Sequence, residues 1–208
     1  MKALLLVALL STAASSFAAG FAFPSSARCL SPDGRWELKA RPPRHPERNA
    51  GHLLVLKKVR GPTVRLQRFD RSCEVLWSPD SARIAVTDWQ ASDMSDVLIY
   101  SVARPTHGQS VARLLPKGAI PTEEREGHGY FEASKWLDSR RLQIKVWGHR
   151  DSFPATSFEH RFVFDTKTSK IIAEGVTPVR GGHPAPSSDA GLSCPVTFWR
   201  LRQLYWRR

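Results

Sequence analysis

The stretch Glu123-Glu124-Arg125-Glu126-Gly127-His128 sets three carboxylates and an imidazole within six residues of a chain whose net charge is +12. Carboxylate oxygens suit a divalent cation, and a carboxylate beside an imidazole can work as an acid–base pair. His149 further on could complete such a site with Glu126 and His128. A solvated charged loop is the plainer reading of the same residues. Trp89, beside Asp88, is a second kind of candidate, a loop aromatic able to contact a partner. Trp36, Trp77, Trp136 and Trp147 read as core instead, because they lie in or beside apolar alternations. His160, inside such an alternation, reads as a surface or cross-strand residue.

Several chemistries have no motif here. There is no Gly-x-Ser-x-Gly elbow, no His-Glu-x-x-His, no Cys-x-x-Cys and no phosphate loop. The seven histidines are scattered rather than spaced as ligands. No cofactor and no dedicated metal site is expected, and the chain reads as a binding protein before it reads as an enzyme.

The elements that must position these residues recur. Ser31-Pro32-Asp33-Gly34 opens the first unit, Ser78-Pro79-Asp80-Ser81 the second, and Leu137-Asp138-Ser139-Arg140 a third that has lost its proline. The Asp-to-Asp spacings of 47 and 58 residues fall in the range of propeller and solenoid repeats. Proline presets φ in a tight turn, and the aspartate accepts a nearby backbone N–H. Residues alternating apolar and polar follow each turn, as in Ile84, Val86 and in Leu142, Ile144, Val146, the two-residue period of a strand. Further runs at 53–56 and 64–66, at 97–100 and 111–115, and at 158–164 and 170–172 bring each unit to four short strands, a to d. Helix signals are nearly absent.

Trp77-Ser78-Pro79-Asp80, Arg83-Ile84-Ala85-Val86-Thr87 and Val97-Leu98-Ile99-Tyr100-Ser101-Val102 resemble a TolB-type β-propeller repeat. That family's pattern is a Trp-Ser-Pro-Asp-Gly turn, an Ile-Ala strand and an Ile-Tyr strand. The likeness is closest over residues 73–102, looser over 29–70 and faint over 131–175, and Ser81 stands where the family usually has glycine. The resemblance implies an all-β fold of three four-stranded antiparallel propeller-like blades and a role in protein interaction. Closed propellers use about four to eight blades, so three units imply an open or partial β-propeller, a ring closed by further copies of the chain, or blades collapsed into a sandwich.

In such a blade the b–c and d–a connections share one end. The long loops at 41–51, 89–96, 117–130 and 148–156 would therefore gather there. This loop end is expected to carry His45, Arg48, Trp89, Asp93, Glu123, Glu124, Glu126, His128, His149 and Arg150.

The chain ends carry other signals. Lys2, the apolar run from Ala3 to Leu10 and the small residues after it have the layout of a secretory leader over residues 1–22. Ser16-Phe17-Ala18 and Gly20-Phe21-Ala22 are its two small-x-small sites. The β domain is then expected over 23–178, in a periplasmic or secreted protein. Cys29 and Cys73, each ahead of a turn, could pair there, closing a loop worth about 4 kcal/mol; pairings with Cys194 stay open. Arginine supplies 22 of the 31 cations, a bias that suits an anionic envelope component better than nucleic acid in an exported protein. Residues 179–208 read as a flexible linker and a basic aromatic tail, with Trp199, Arg200, Arg202, Tyr205 and Trp206 able to meet a membrane surface.

Overall fold

The computed structural model describes residues 19–43, 51–120, 127–149 and 157–173. They form three antiparallel sheets. The first contains β2 (Arg28–Leu30), β3 (Trp36–Arg41), β4 (His52–Lys58) and β5 (Thr63–Phe69) in chain order. The third contains β10 (His128–Trp136), β11 (Arg141–His149), β12 (Ser157–Asp165) and β13 (Lys170–Ala173), also in order. The central sheet contains β6 (Ser72–Trp77), β7 (Arg83–Trp89), β8 (Asp96–Ser101) and β9 (Arg104–Ser110), with β1 (Gly20–Phe23) added outside β6. The all-β expectation holds, but this sheet has five strands rather than four.

The three turns are built alike. Ser31 Oγ donates to Asp33 Oδ1 at 2.6 Å and Ser78 Oγ to Asp80 Oδ1 at 2.6 Å. Each aspartate then accepts the N–H two residues on, from Arg35 at 3.0 Å, Ala82 at 3.1 Å and, for Asp138, Arg140 at 2.7 Å. The end of the third strand of each unit closes on the turn in the same way. Val59, Val102 and Thr166 donate N–H to the carbonyls of Arg35, Ala82 and Arg140. Asp33, Asp80 and Asp138 thus occupy one setting repeated three times.

Strand patterns follow from the stacking of the sheets. Ile84 and Val86 on β7 face the core shared with the first sheet, where Leu38, Leu54, Leu56 and Trp77 are also buried. Ala85 on the same strand, with Val97 and Ile99 on β8, faces the core shared with the third sheet, among Leu142, Ile144, Val146 and Phe164. The central sheet is covered on both faces, so β7 is buried from Ile84 to Asp88 instead of alternating. The outer faces are different. Lys39 lies between buried Leu38 and Ala40, and Lys145 between buried Ile144 and Val146. On the third sheet's outer face Glu159 pairs with Lys145 at 3.1 Å and Arg161 at 2.9 Å.

Two expectations change. The fourth strand of the second unit is Arg104–Ser110, and residues expected as that strand form a helical turn, α1 (Val111–Leu114). Ser110 caps it, its hydroxyl accepting the Arg113 N–H at 3.2 Å, so the strand ends at Ser110. In the central sheet Phe21 of β1 is buried in the core. Second, Cys29 and Cys73 are both free thiols and no bridge joins them. Cys29 stands two residues before Ser31 but Cys73 five before Ser78, so they are out of step by three residues, or about 10 Å of strand. Among the described residues no helix is long and apolar enough to cross a membrane.

Candidate functional site

At the loop end, the pairing of β10 with β11 places His128 opposite His149 and Tyr130 opposite Trp147. Alternation puts all four side chains on one face of the hairpin. The two imidazoles stack with centroids 4.4 Å apart and planes 21° apart. Tyr130 and Trp147 are 4.5 Å apart. Trp89, at the end of β7 in the central sheet, reaches across to both, at 5.8 Å from Tyr130 and 6.4 Å from Trp147. Five rings from two sheets therefore make one continuous cluster. Tyr130 is buried, while Trp89, Trp147, His128 and His149 are half-buried.

Hydrogen bonds fix the orientation of this cluster. The Trp89 indole N–H donates to Glu74 Oε1 at 3.3 Å and that of Trp147 to Glu132 Oε2 at 3.2 Å. The Tyr130 hydroxyl donates to the Ser92 carbonyl at 2.5 Å and lies 3.1 Å from His128 Nδ1. The loop between β7 and β8 grips β10 further. Asp93 O accepts the Gly129 N–H at 3.0 Å, and Ser95 Oγ accepts the Phe131 N–H at 2.9 Å while donating to the Phe131 carbonyl at 2.8 Å. Lys145 Nζ sits 5.5 Å from the centroid of Trp147, a cation–π contact on the outer side.

Beneath Trp89 lies Asp88, 7% exposed. Its Oδ2 accepts the Gln67 amide at 3.1 Å, and the Tyr100 hydroxyl donates to Gln67 Oε1 at 2.6 Å. Oδ1 has no hydrogen-bond partner. Burial lifts this carboxyl to about 6, reinforced by the charges of Asp70 and Asp96 against a bond from Gln90. Opposite it in register is Cys73, whose thiol burial pushes well above the ordinary range, with Asp88 and Glu74 adding to the effect.

Of the residues expected at the loop end, Trp89, Asp93, His128 and His149 are found together there. Asp93 contributes its main chain to the grip on β10, and its residue is exposed. His45, Arg48, Glu123, Glu124, Glu126 and Arg150 lie outside the described residues, as do Cys194 and the tail positions Trp199, Arg200, Arg202, Tyr205 and Trp206. Trp147, read from the sequence as core, belongs to the cluster, and Tyr130, Glu74 and Glu132 were not singled out at all. Their signal was the pair of i, i+2 patterns His128-x-Tyr130 and Trp147-x-His149, which becomes a shared face only when the hairpin register is known.

The stacking has a chemical consequence. Imidazole lone pairs lie in the ring plane, so two nearly parallel rings do not aim at a common point. A single cation between His128 and His149 would require one ring to turn. Among the described residues no group of three His, Cys, Asp or Glu side chains is placed to hold a metal ion.

No family model matches the chain, and no curated protein matches it. Among solved structures it is similar to the AtxE2 isopeptidase in its apo form, with a TM-score of 0.46 and 15% identity, over 89% of this chain and 32% of that one. The chain thus spans about a third of that structure's length, and a likeness of this degree carries no argument about activity.

Proposed function

We propose that the chain is an exported, non-enzymatic binding protein of the envelope, resembling TolB-type repeats, whose loop end captures a protein partner. In this reading the three sheets are the blades of an open propeller. The repeated Asp33, Asp80 and Asp138 turns, each placed between the first two strands of its unit, support that reading. The observation that carries the function is the cluster of Trp89, Tyr130, Trp147, His128 and His149. Half-buried aromatic side chains held by indole–carboxylate hydrogen bonds provide contact area that loses little entropy on binding, the property of interface anchors. Ring closure by a second copy would have to cover Lys39, Lys145, Glu159 and Arg161, so the open arc is read as monomeric.

A photo-crosslinking residue at position 89, in protein directed to the envelope, tests the proposal. One dominant adduct that disappears in the His149→Ala/Trp147→Ala double variant is the expected result. Capture that survives the double variant but disappears when residues 179–208 are removed would move the function to the tail.

A further inference from the structure

The end of the molecule opposite the aromatic cluster carries the second site. The chain there turns from β8 into β9 beside the turn between β12 and β13, and a groove of about 430 Å³ opens between the central and third sheets. That volume lies within the range of small-molecule pockets, about 300–1,000 Å³. Ile99, buried in the core shared with the third sheet, forms its apolar floor, while Tyr100 lines it with its ring buried toward the first sheet. Its charged lining groups are Arg83, Arg104 and His107, and no carboxylate lines it.

Arg83, Arg104 and Gln109 supply the groove's donors. Arg104 is exposed and makes no ion pair among the described residues. Arg83 reaches the Ser139 carbonyl with Nη1 at 3.2 Å and is only loosely paired with Asp80, at 3.9 Å. The Gln109 Oε1 accepts the Ser169 hydroxyl at 3.4 Å, which leaves the amide hydrogens to donate. His107 uses Nδ1 toward Thr106 Oγ1 at 2.9 Å, leaving Nε2. The Thr166 hydroxyl already donates to the Arg140 carbonyl at 2.8 Å and adds no positive element. The backbone maintains the shape. A Cβ at Gly108 would come within 2.5–2.8 Å of the Tyr100 ring, so only glycine allows β9 to lie across that ring.

We propose that this groove binds a small organic anion, a phosphate monoester on a flat or apolar body. The Arg83 and Arg104 guanidinium groups would take the phosphate oxygens, assisted by His107 and Gln109, with Ile99 under the body. Guanidinium forks match phosphate geometry, and charge-assisted hydrogen bonds of this kind are the strong ones. The site is separate from the loop end, so the two readings can fail separately.

Titration calorimetry with phenyl phosphate, inorganic phosphate and benzoate at matched ionic strength tests the assignment. Phenyl phosphate should bind saturably and more tightly than either of the others. Arg104→Gln, which removes no side-chain hydrogen bond or ion pair among the described residues, should weaken it by about tenfold or more, and His107→Ala should weaken it as well. Trp89→Ala should leave it unchanged. Binding by Arg104→Gln within about twofold of the parent, or binding of inorganic phosphate or benzoate as tight as that of phenyl phosphate, would each overturn the proposal.

Discussion

The backbone N–H of Asp33 donates to Ser81 Oγ at 3.0 Å, so the first turn rests on the second. Ser81 has φ +60° at the position where Gly34, with φ +69°, stands in the first turn. A non-glycine residue there costs about 1 kcal/mol or more, and the hydroxyl offsets this by accepting a bond across two sheets. Ser81→Ala should therefore keep the strain, lose the acceptor and destabilise by about 1 kcal/mol. Ser81→Gly loses the acceptor and the strain together and should be close to neutral. Urea unfolding midpoints check the ordering, and equal losses in the two variants would refute the strain argument.

This relationship also shows how far the sequence was legible. The turns announced themselves, because proline, aspartate and glycine or serine at fixed offsets have a local physical meaning. The order of strands in the first and third sheets was equally readable from apolar runs between them. β1 was not, because Gly20-Phe21-Ala22-Phe23 looks the same as the end of an apolar leader until its partner β6 is known. Strand β9 was missed because Arg104-Pro105-Thr106-His107-Gly108-Gln109-Ser110 carries almost no apolar residue; it pairs as an edge strand, largely exposed. The candidate site was half legible for the same reason. Loop residues follow from strand parity, whereas Trp147 and Tyr130 enter the site through a register that no local pattern fixes.

Phe21 tests the place of β1. It is 7% exposed and packs into the core shared by the first and central sheets, while Gly20 and Phe23 pair with Leu76 and Cys73. Phe21→Ala should cost about 3–5 kcal/mol, the usual range for a buried phenylalanine. A chain beginning at residue 24 should lose as much or more. Under the proposed export, N-terminal sequencing of the mature protein should accordingly find cleavage at or before Ala19. A stable mature chain starting at Phe23 would contradict the role given to β1.

The two described cysteines should be slow to react. Burial raises the Cys29 thiol to about 11, with the nearby Trp77 indole opposing the rise and Glu37 adding to it, and burial raises Cys73 further. The thiolate is the reactive form. At pH 8 a thiol reagent should modify neither residue in the folded protein within the time that it modifies both in urea. Peptide mapping without reduction should find each as a free thiol, and a peptide joining Cys29 to Cys73 would contradict the structure.

Tyr130 links the loop between β7 and β8 to the aromatic cluster through its bond to the Ser92 carbonyl. Tyr130→Phe keeps the ring and its contacts with Trp147 and Trp89 while removing the donor. A loss of about 1–2 kcal/mol is expected, together with faster amide exchange at Gly129, whose N–H is held by Asp93 O. Unchanged exchange at Gly129 would mean that the loop is held without Tyr130.

Asp88 gives the folded protein a pH dependence of definite sign. Burial first, then the Asp70 and Asp96 charges, raise its carboxyl from 3.8 to about 6. Between those values the folded state binds more protons than the unfolded state, so this group makes stability fall as pH rises from about 4 to about 6. The accumulated cost at pH 7 is at most about 3 kcal/mol. Other carboxylates act in the opposite sense at lower pH. The Asp33 carboxyl, desolvated but bonded by the Ser31 hydroxyl and by Arg35, sits at about 2, and Asp165 is held below the usual range by Arg140. The comparison of parent with Asp88→Asn separates them. The variant should be more stable at pH 7, equal near pH 4, and flatter in between, as read by urea unfolding at each pH. Destabilisation by Asp88→Asn at pH 7 would show that the ionised carboxylate is stabilised by a contact stronger than its bond to Gln67.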